Sequence, residues 1–164
     1  MKKLHLIRHA KSSWRDRAIA DIDRPLNQRG LKSCSVMAGQ IVKAGCHFEQ
    51  VFCSPAVRAQ TTIEQIAKQL SEKSIEWRID SALYTFEYEA LLNWCQALDE
   101  SLPEAVVVGH NNAITDFVNW VGDYTIENVP TCGYVQLAFD TTSWRELSAD
   151  SAEVLSFLKP KMFM

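Results

Sequence analysis

Residues 105–112 read AVVVGHNN, and this stretch decides the fold class. Its four consecutive apolar residues, three of them valine, predict a strand that is apolar on both faces and therefore lies inside a sheet. Gly109 and the polar residues after it then lead the chain into a predicted helix over 113–120. A buried strand that leads directly into a helix is typical of a parallel α/β sheet.

The alternation of strands and helices continues on both sides of this stretch. The chain has 164 residues, the usual size of one domain, and we expect a single domain over 1–164. Its expected fold class is α/β, a three-layer α/β/α sandwich with a mainly parallel central sheet. Ser54 and Pro55 predict an N-cap hydroxyl and a first-turn proline for the helix that they begin. The other predicted elements are strands at 3–7, 50–53 and 75–79, helices at 27–44, 54–70 and 88–98, a loop at 8–25, a terminal hairpin from 134–139 and 144–147, and a segment at 152–164 whose pattern favours neither state.

Composition and charge exclude several classes of protein. The chain is 47% hydrophobic and 23% charged, which is ordinary for a globular protein and excludes a disordered one. Its net charge of -3 argues against binding nucleic acid through bulk charge. The apolar runs are far shorter than the roughly 20 residues that span a bilayer, and the first residues are too soon charged for a signal peptide, so we expect a cytoplasmic protein. The 5 cysteines form no CxxC motif, which predicts buried, reduced thiols rather than a disulfide framework or a zinc site.

Unusual residues stand where three of the predicted strands end. Arg8 and His9 follow the first strand, and His110 follows the buried one. Arg58 lies in the first helical turn after the second strand. Because the carboxyl ends of parallel strands meet at one edge of a sheet, we expect these four side chains to share a pocket. Two guanidinium groups and a helix N-terminus favour phosphate as the ligand.

Histidine beside phosphate indicates covalent phosphoryl transfer. A neutral imidazole nitrogen is a competent nucleophile, and its phosphoramidate is readily hydrolysed. A second histidine, if protonated, could stabilise the charge on the phosphoryl oxygens in the transition state. This chemistry needs no metal ion and no cofactor.

Four short blocks carry a family resemblance. They are LIRHAKS at 6–12, DRPL at 23–26 followed by Arg29 and Gly30, SPAVRAQTT at 54–62, and VGHN at 108–111. In this order they resemble the histidine phosphatase superfamily and, within it, the small SixA-like phosphohistidine phosphatases. Asn112 stands where that branch commonly has proline.

The resemblance implies both a fold and a function. The implied fold is the three-layer, phosphoglycerate-mutase-like one. The implied nucleophile is His9, with Arg8, Arg58 and His110 completing the phosphate pocket. The implied substrate is a phosphotransfer protein that carries phosphohistidine. We also expect a monomer that binds phosphate- or sulfate-like anions, and neither nucleic acid nor a membrane.

A general acid is harder to find. Mutase-like and acid-phosphatase-like relatives have a carboxylic acid after the third strand, but the residue directly after Leu83 and Tyr84 is Thr85. Glu87 is the candidate general acid, although a helix-start charge favoured by the helix dipole is the more common role of such a residue. Asp21 and Asp23, in the loop before the first helix, are weaker substitutes. The departing imidazole of phosphohistidine needs no such acid, because it can be protonated from solvent.

Three other functions are alternatives to a phosphohistidine phosphatase that uses His9. The chain could be a small-molecule phosphomonoesterase of the same superfamily, or a non-catalytic module that binds phosphoproteins. Cys53 precedes Arg58 with four residues between them, which resembles a cysteine phosphatase loop, but that loop needs five.

Overall fold

The computed structural model describes residues 1–164, which form one six-stranded sheet with helices on both faces. The strands are β1 (Lys2–Arg8), β2 (Val51–Cys53), β3 (Trp77–Ile79), β4 (Glu104–Gly109), β5 (Tyr134–Phe139) and β6 (Ala152–Leu158). The helices are α1 (Gln28–Lys43), α2 (Val57–Gln69), α3 (Tyr88–Gln96) and α4 (Ala113–Val121). The order across the sheet is β3-β2-β4-β1-β5-β6.

The expected mainly parallel sheet is confirmed. Strands β1 to β4 run parallel to one another, and β5 runs antiparallel to both of its neighbours. At the centre, β4 pairs with β1 and β2, and residues 105–109 are buried. The stretch that predicted a strand inside the sheet therefore occupies its middle.

Alternation along the strands divides the core into two layers. Leu4 and Leu6 of β1 lie in a cluster with Leu91 of α3 and Phe117 of α4. Ile7, on the opposite face of the same strand, lies in a second cluster with residues of α1 and α2. The sandwich therefore has α1 and α2 on one face of the sheet and α3 and α4 on the other.

Helix α1 begins close to the chain that follows β1. The side chain of Asn27 caps the helix by accepting a hydrogen bond from the backbone N–H of Gly30 at 2.8 Å. A Cβ atom on Gly30 would lie 2.2 Å from the carbonyl oxygen of Lys11, so only glycine fits at this contact. The first turn of α1 thereby holds the segment just beyond His9.

The predicted cap of the second helix is shifted by two residues. The N-cap of α2 is Ala56, which makes no side-chain capping bond, and not Ser54. The hydroxyl of Ser54 accepts from the backbone N–H of Ala56 at 3.2 Å and also bonds to His110. Ser54 therefore lies in the loop before α2, where its hydroxyl bonds to His110.

The predicted terminal hairpin is wrong in its second strand. Residues Trp144–Glu146 form a 3₁₀ turn, and β5 pairs instead with β6, inside the segment 152–164, whose pattern favours neither state. The indole N–H of Trp144 donates to the carbonyl oxygen of Leu102 at 2.9 Å, and the ring is fully buried among residues of α3 and α4. Burial in this layer accounts for the apolar residues that resembled a strand.

Two smaller expectations can be compared with the structure. All five cysteines are buried and free, as predicted. None of the helices is both long enough and apolar enough to cross a lipid bilayer.

Candidate active site

The four strand-end residues singled out by the sequence lie together. In the sheet register Arg8 is opposite Gly109, and Cys53 is opposite Val108, so the ends of β1, β4 and β2 are level. The rings of His9 and His110 have centroids 5.3 Å apart. Arg58, in the first turn of α2, has a guanidinium nitrogen 3.5 Å from Nδ1 of His110.

The backbone around His9 is held from both sides. The N–H of His9 donates to the carbonyl oxygen of Gly109 at 3.0 Å, and the N–H of Cys132 donates to the carbonyl oxygen of His9 at 3.0 Å. The N–H of Ala10 donates to the hydroxyl of Thr62 in α2 at 2.8 Å. Sheet, helix and loop together fix the position of this imidazole.

The hydrogen bond of the His9 ring determines its tautomer. Nδ1 lies 2.7 Å from the carbonyl oxygen of Ala10, and a carbonyl can only accept. Nδ1 therefore carries the proton, and Nε2 keeps its lone pair. Burial, with the positive charges of Arg58 and Arg8, lowers the pKa of His9 to about 4, so the ring is neutral at neutral pH.

Arg58 is buried, and a loop carboxylate holds its terminal nitrogens. One terminal nitrogen donates to the backbone carbonyl of Asp21 at 2.6 Å, and the other donates to the carboxylate of Asp21 at 2.9 Å. Asp21 belongs to the 3₁₀ turn Asp21–Asp23 within the loop expected between the first strand and the first helix. This turn therefore contacts one of the candidate phosphate-binding side chains.

Asp21 collects three donors. Tyr84 donates its hydroxyl hydrogen to the carboxylate at 2.5 Å, and Nε of Arg24 donates to it at 3.1 Å, in addition to Arg58. Burial alone would raise the pKa of Asp21, but the hydrogen bonds from Tyr84 and Arg58 hold it well below its usual range. The sequence suggested Asp21 only as a weak substitute for a general acid, and its ion pair with Arg58 was missed. The pairing depends on how a loop crosses the sheet edge, which no local pattern reports.

Both guanidinium groups keep an unsatisfied donor. A terminal nitrogen of Arg8 donates to the carbonyl oxygen of Val129 at 2.9 Å. The Nε–H groups of Arg8 and Arg58 are buried and have no hydrogen-bond partner. A buried charged donor without a partner costs about 1–3 kcal/mol or more, which an anion in the pocket would relieve.

His110 has a polar side and an aromatic side. Its Nε2 lies 2.7 Å from the hydroxyl of Ser54, and Arg58, which can only donate, lies against Nδ1. Burial, and then the nearby His9 and Arg58, lower the pKa of His110 to about 3. The rings of Tyr84 and Phe86 pack against it with centroids at 5.4 and 5.2 Å.

The remaining sequence candidates make no hydrogen bond to the side chains of Arg8, His9, Arg58 or His110. Glu87 is the N-cap residue of α3, is exposed, and makes no side-chain capping bond. The thiol of Cys53 is fully buried and donates to the backbone carbonyl of Ser54 at 3.3 Å, and burial raises its pKa to about 12. Such a thiol is unsuited to nucleophilic attack at neutral pH. No three His, Cys, Asp or Glu side chains are grouped so that they could hold a metal ion.

Comparisons with known proteins relate this arrangement to a family. The sequence pattern of the histidine phosphatase superfamily (branch 1) matches residues 4–116. An uncharacterized protein of Mycobacterium leprae is 27% identical over 169 residues, covering 94% of this chain and 100% of the relative. The solved structure of the protein histidine phosphatase SixA complexed with tungstate superposes with a TM-score of 0.80 at 20% identity, over 99% of each chain. Phosphoserine phosphatase from Entamoeba histolytica, in complex with 3-phosphoglyceric acid, superposes with a TM-score of 0.64 at 16% identity, over 100% of each chain.

The family match and the fold agree with each other. The matched residues 4–116 include all four side chains of the cluster around His9. The structural similarities extend over the whole sheet and confirm the expected phosphoglycerate-mutase-like sandwich, with the SixA fold the more similar of the two. The chain belongs to the histidine phosphatase superfamily, branch 1, and has the SixA-like form of its fold.

Proposed function

We propose that this protein is a phosphohistidine phosphatase that removes the phosphoryl group from a protein substrate through a covalent intermediate on His9. One observation carries the proposal. The neutral His9 ring, with its proton held on Nδ1 by the carbonyl of Ala10, has a free lone pair on Nε2. It lies near two guanidinium groups whose buried Nε–H donors have no partner. A nucleophile among unpaired donors suits an incoming phosphoryl group.

Two displacements complete the reaction. In the first, the lone pair on Nε2 of His9 forms a bond to phosphorus while the P–N bond of the substrate breaks, and its electron pair stays on the departing imidazole. In the second, water forms a bond to phosphorus, the P–Nε2 bond breaks, and inorganic phosphate leaves with a proton lost to solvent. His9 returns to its neutral form, and no oxidant or reductant takes part.

Charge from three side chains stabilises both transition states. Arg8 and Arg58 supply permanently charged donors to the phosphoryl oxygens. His110 is neutral without a ligand, because burial and neighbouring cations lower its pKa. A phosphoryl dianion offsets that repulsion and favours protonation of the ring.

The leaving group explains why a phosphohistidine substrate fits this site. An alcohol departs poorly unless an acid protonates it, and Glu87 makes no contact that prepares it for this role. The imidazole of phosphohistidine departs as a neutral ring once solvent has protonated its other nitrogen, near a pKa of about 6 to 7. The reaction therefore needs no metal ion and no general acid from the protein.

Specificity constants test the proposal. We expect kcat/KM for a phosphohistidine-bearing phosphotransfer domain to exceed that for every member of a panel of sugar phosphates. The opposite preference would identify a small-molecule phosphomonoesterase. Phosphate release from an aryl phosphate, abolished in His9→Ala, separates an enzyme from a binding module that lacks turnover.

A further inference from the structure

A second cleft, of about 590 Å³, lies beside the candidate active site. It is lined by Lys11, the start of α1, the segment 126–131 and the C-terminal segment 157–164. Four of its lining side chains are cationic, and only Glu127 is acidic. The four cations, which together we call the basic cleft, are Lys11, Arg29, Lys159 and Lys161.

The charges of the basic cleft are not balanced within the chain. All three ion pairs of the protein involve other residues. The chain as a whole carries a net charge of -3, whereas the side chains around this cleft are predominantly positive. Like charges gathered in one concavity repel each other and raise the local concentration of anions. The cleft is therefore suited to an anionic ligand.

The basic cleft shares a wall with the active site. Lys11 is two residues beyond His9, a separation of at most about 7 Å along the chain. In the other wall, Asn128 accepts a hydrogen bond from the side chain of Asn111 at 2.8 Å, next to His110. The cleft is therefore within reach of a macromolecule whose phosphoryl group is at His9.

We propose that the basic cleft binds a carboxylate-rich segment of the protein that carries the phosphohistidine. The inference rests on the proposed function and names a docking element for its substrate. The cations come from three separate chain segments, which suits several spaced carboxylates better than one compact phosphate. Phe157, which is half-buried, and Met164, which is exposed, line the same cleft and provide apolar surface for the rest of a peptide.

Binding of a glutamate-rich, fluorescein-labelled peptide tests the cleft without any turnover. Fluorescence anisotropy should show binding that weakens steeply with added salt. Lys159→Glu/Lys161→Glu should raise the Kd at least about tenfold. The matched control is Lys43→Glu/Lys68→Glu, which makes the same charge change outside the cleft, with Lys43 about 21 Å from Arg29 along the axis of α1. The control should change the Kd by less than about twofold.

Three results would overturn the docking site. They are no binding of the peptide to the wild-type protein, an equal loss in the control variant, and equally tight, equally cleft-dependent binding of a single-stranded oligonucleotide of the same charge. A urea unfolding midpoint for each variant separates lost binding from a damaged fold.

Hydrolysis distinguishes failure of the cleft from failure of the proposed function. Lys159→Glu/Lys161→Glu should reduce kcat/KM on a phosphohistidine protein at least about tenfold more than on a small phosphoramidate. Equal losses on the two substrates overturn the cleft and leave the chemistry at His9 intact. Wild-type protein that binds the peptide but hydrolyses neither substrate overturns the proposed function and leaves the cleft as an acidic-segment site.

Discussion

The lone pair on Nε2 of His9 is the atom on which the proposed chemistry depends. Its availability follows from one hydrogen bond to the Ala10 carbonyl and from a pKa lowered to about 4, because the ring is buried near arginine side chains. The position of His9 after a strand was readable from the sequence. Its tautomer was not, because it depends on which backbone carbonyl the folded chain places beside Nδ1.

Arg58 should not be replaceable by lysine. Lysine keeps the charge but lacks the planar guanidinium group with its paired donors. It therefore cannot make both hydrogen bonds to Asp21, and it cannot donate two parallel hydrogen bonds to a phosphate. We expect Arg58→Lys to lower kcat/KM by on the order of 10²-fold. Steady-state kinetics, with circular dichroism to check the fold, measures this. Activity within about threefold of wild type would remove Arg58 from the phosphate pocket.

Glu87 should be dispensable for phosphohistidine. Because its side chain is exposed at the start of α3, Glu87→Gln should slow phosphohistidine hydrolysis by less than about tenfold. Activity on alkyl phosphates should already be poor in the wild-type protein. A loss of about a hundredfold or more on phosphohistidine, with the fold intact, would make Glu87 the general acid.

Among the elements around the site, the loop between β1 and α1 makes the closest contact with the guanidinium group of Arg58 through Asp21. Its 3₁₀ turn places the carboxylate of Asp21 against the guanidinium group, where a phosphate would also bind. Tyr84 holds the same carboxylate from the opposite segment. The turn therefore competes with the ligand for the donors of Arg58.

Removing the charge of Asp21 should tighten anion binding. Asp21→Asn abolishes its repulsion of a phosphate dianion and weakens its hold on Arg58. The carboxylate is 44% exposed, so we expect a gain of at most about fivefold in the affinity for orthovanadate, equivalent to about 1 kcal/mol. Isothermal titration measures it, with Asp16→Asn, an exposed residue of the same loop, as the control. Weaker binding in Asp21→Asn would mean that the carboxylate positions Arg58 instead of competing for it.

The elements that the sequence predicted well are those whose pattern is local. The buried strand β4 and the helices that follow β2 and β4 are predicted from runs of apolar residues and from the glycine, serine and proline residues that bound those runs. The C-terminal region was mispredicted because Trp144 and Leu147 fill the core from a 3₁₀ turn. Two apolar residues in a short segment do not distinguish such a turn from a strand. The contact between Asp21 and Arg58 spans 37 positions of the chain, so only tertiary structure reports it.

At the scale of the whole molecule, the buried histidines link stability to pH. In the folded state the pKa of His9 is about 4 and that of His110 about 3, both below the ordinary value of 6.5. The unfolded chain therefore binds protons first as the pH falls below 6.5, and protonation favours unfolding. Stability is fully present above this pH and decreases as the pH falls toward the folded values.

Urea unfolding should show this dependence. Between about pH 7 and pH 5, each of the two histidines should reduce the free energy of unfolding by about 2 kcal/mol. His9→Asn and His110→Asn should each remove about that much of the pH dependence. An unchanged pH dependence in both variants would show that these rings are not held neutral by the fold.

The most direct test of the central claim is to trap the covalent intermediate. A phosphohistidine protein labelled on its phosphoryl group is mixed with the enzyme, the reaction is quenched in alkali within milliseconds, and the labelled peptide is identified by mass spectrometry. The proposed mechanism predicts an adduct that is stable in base, labile in acid, confined to His9, and absent from His9→Ala. An acid-stable adduct on another residue, or steady turnover by His9→Ala, would contradict it.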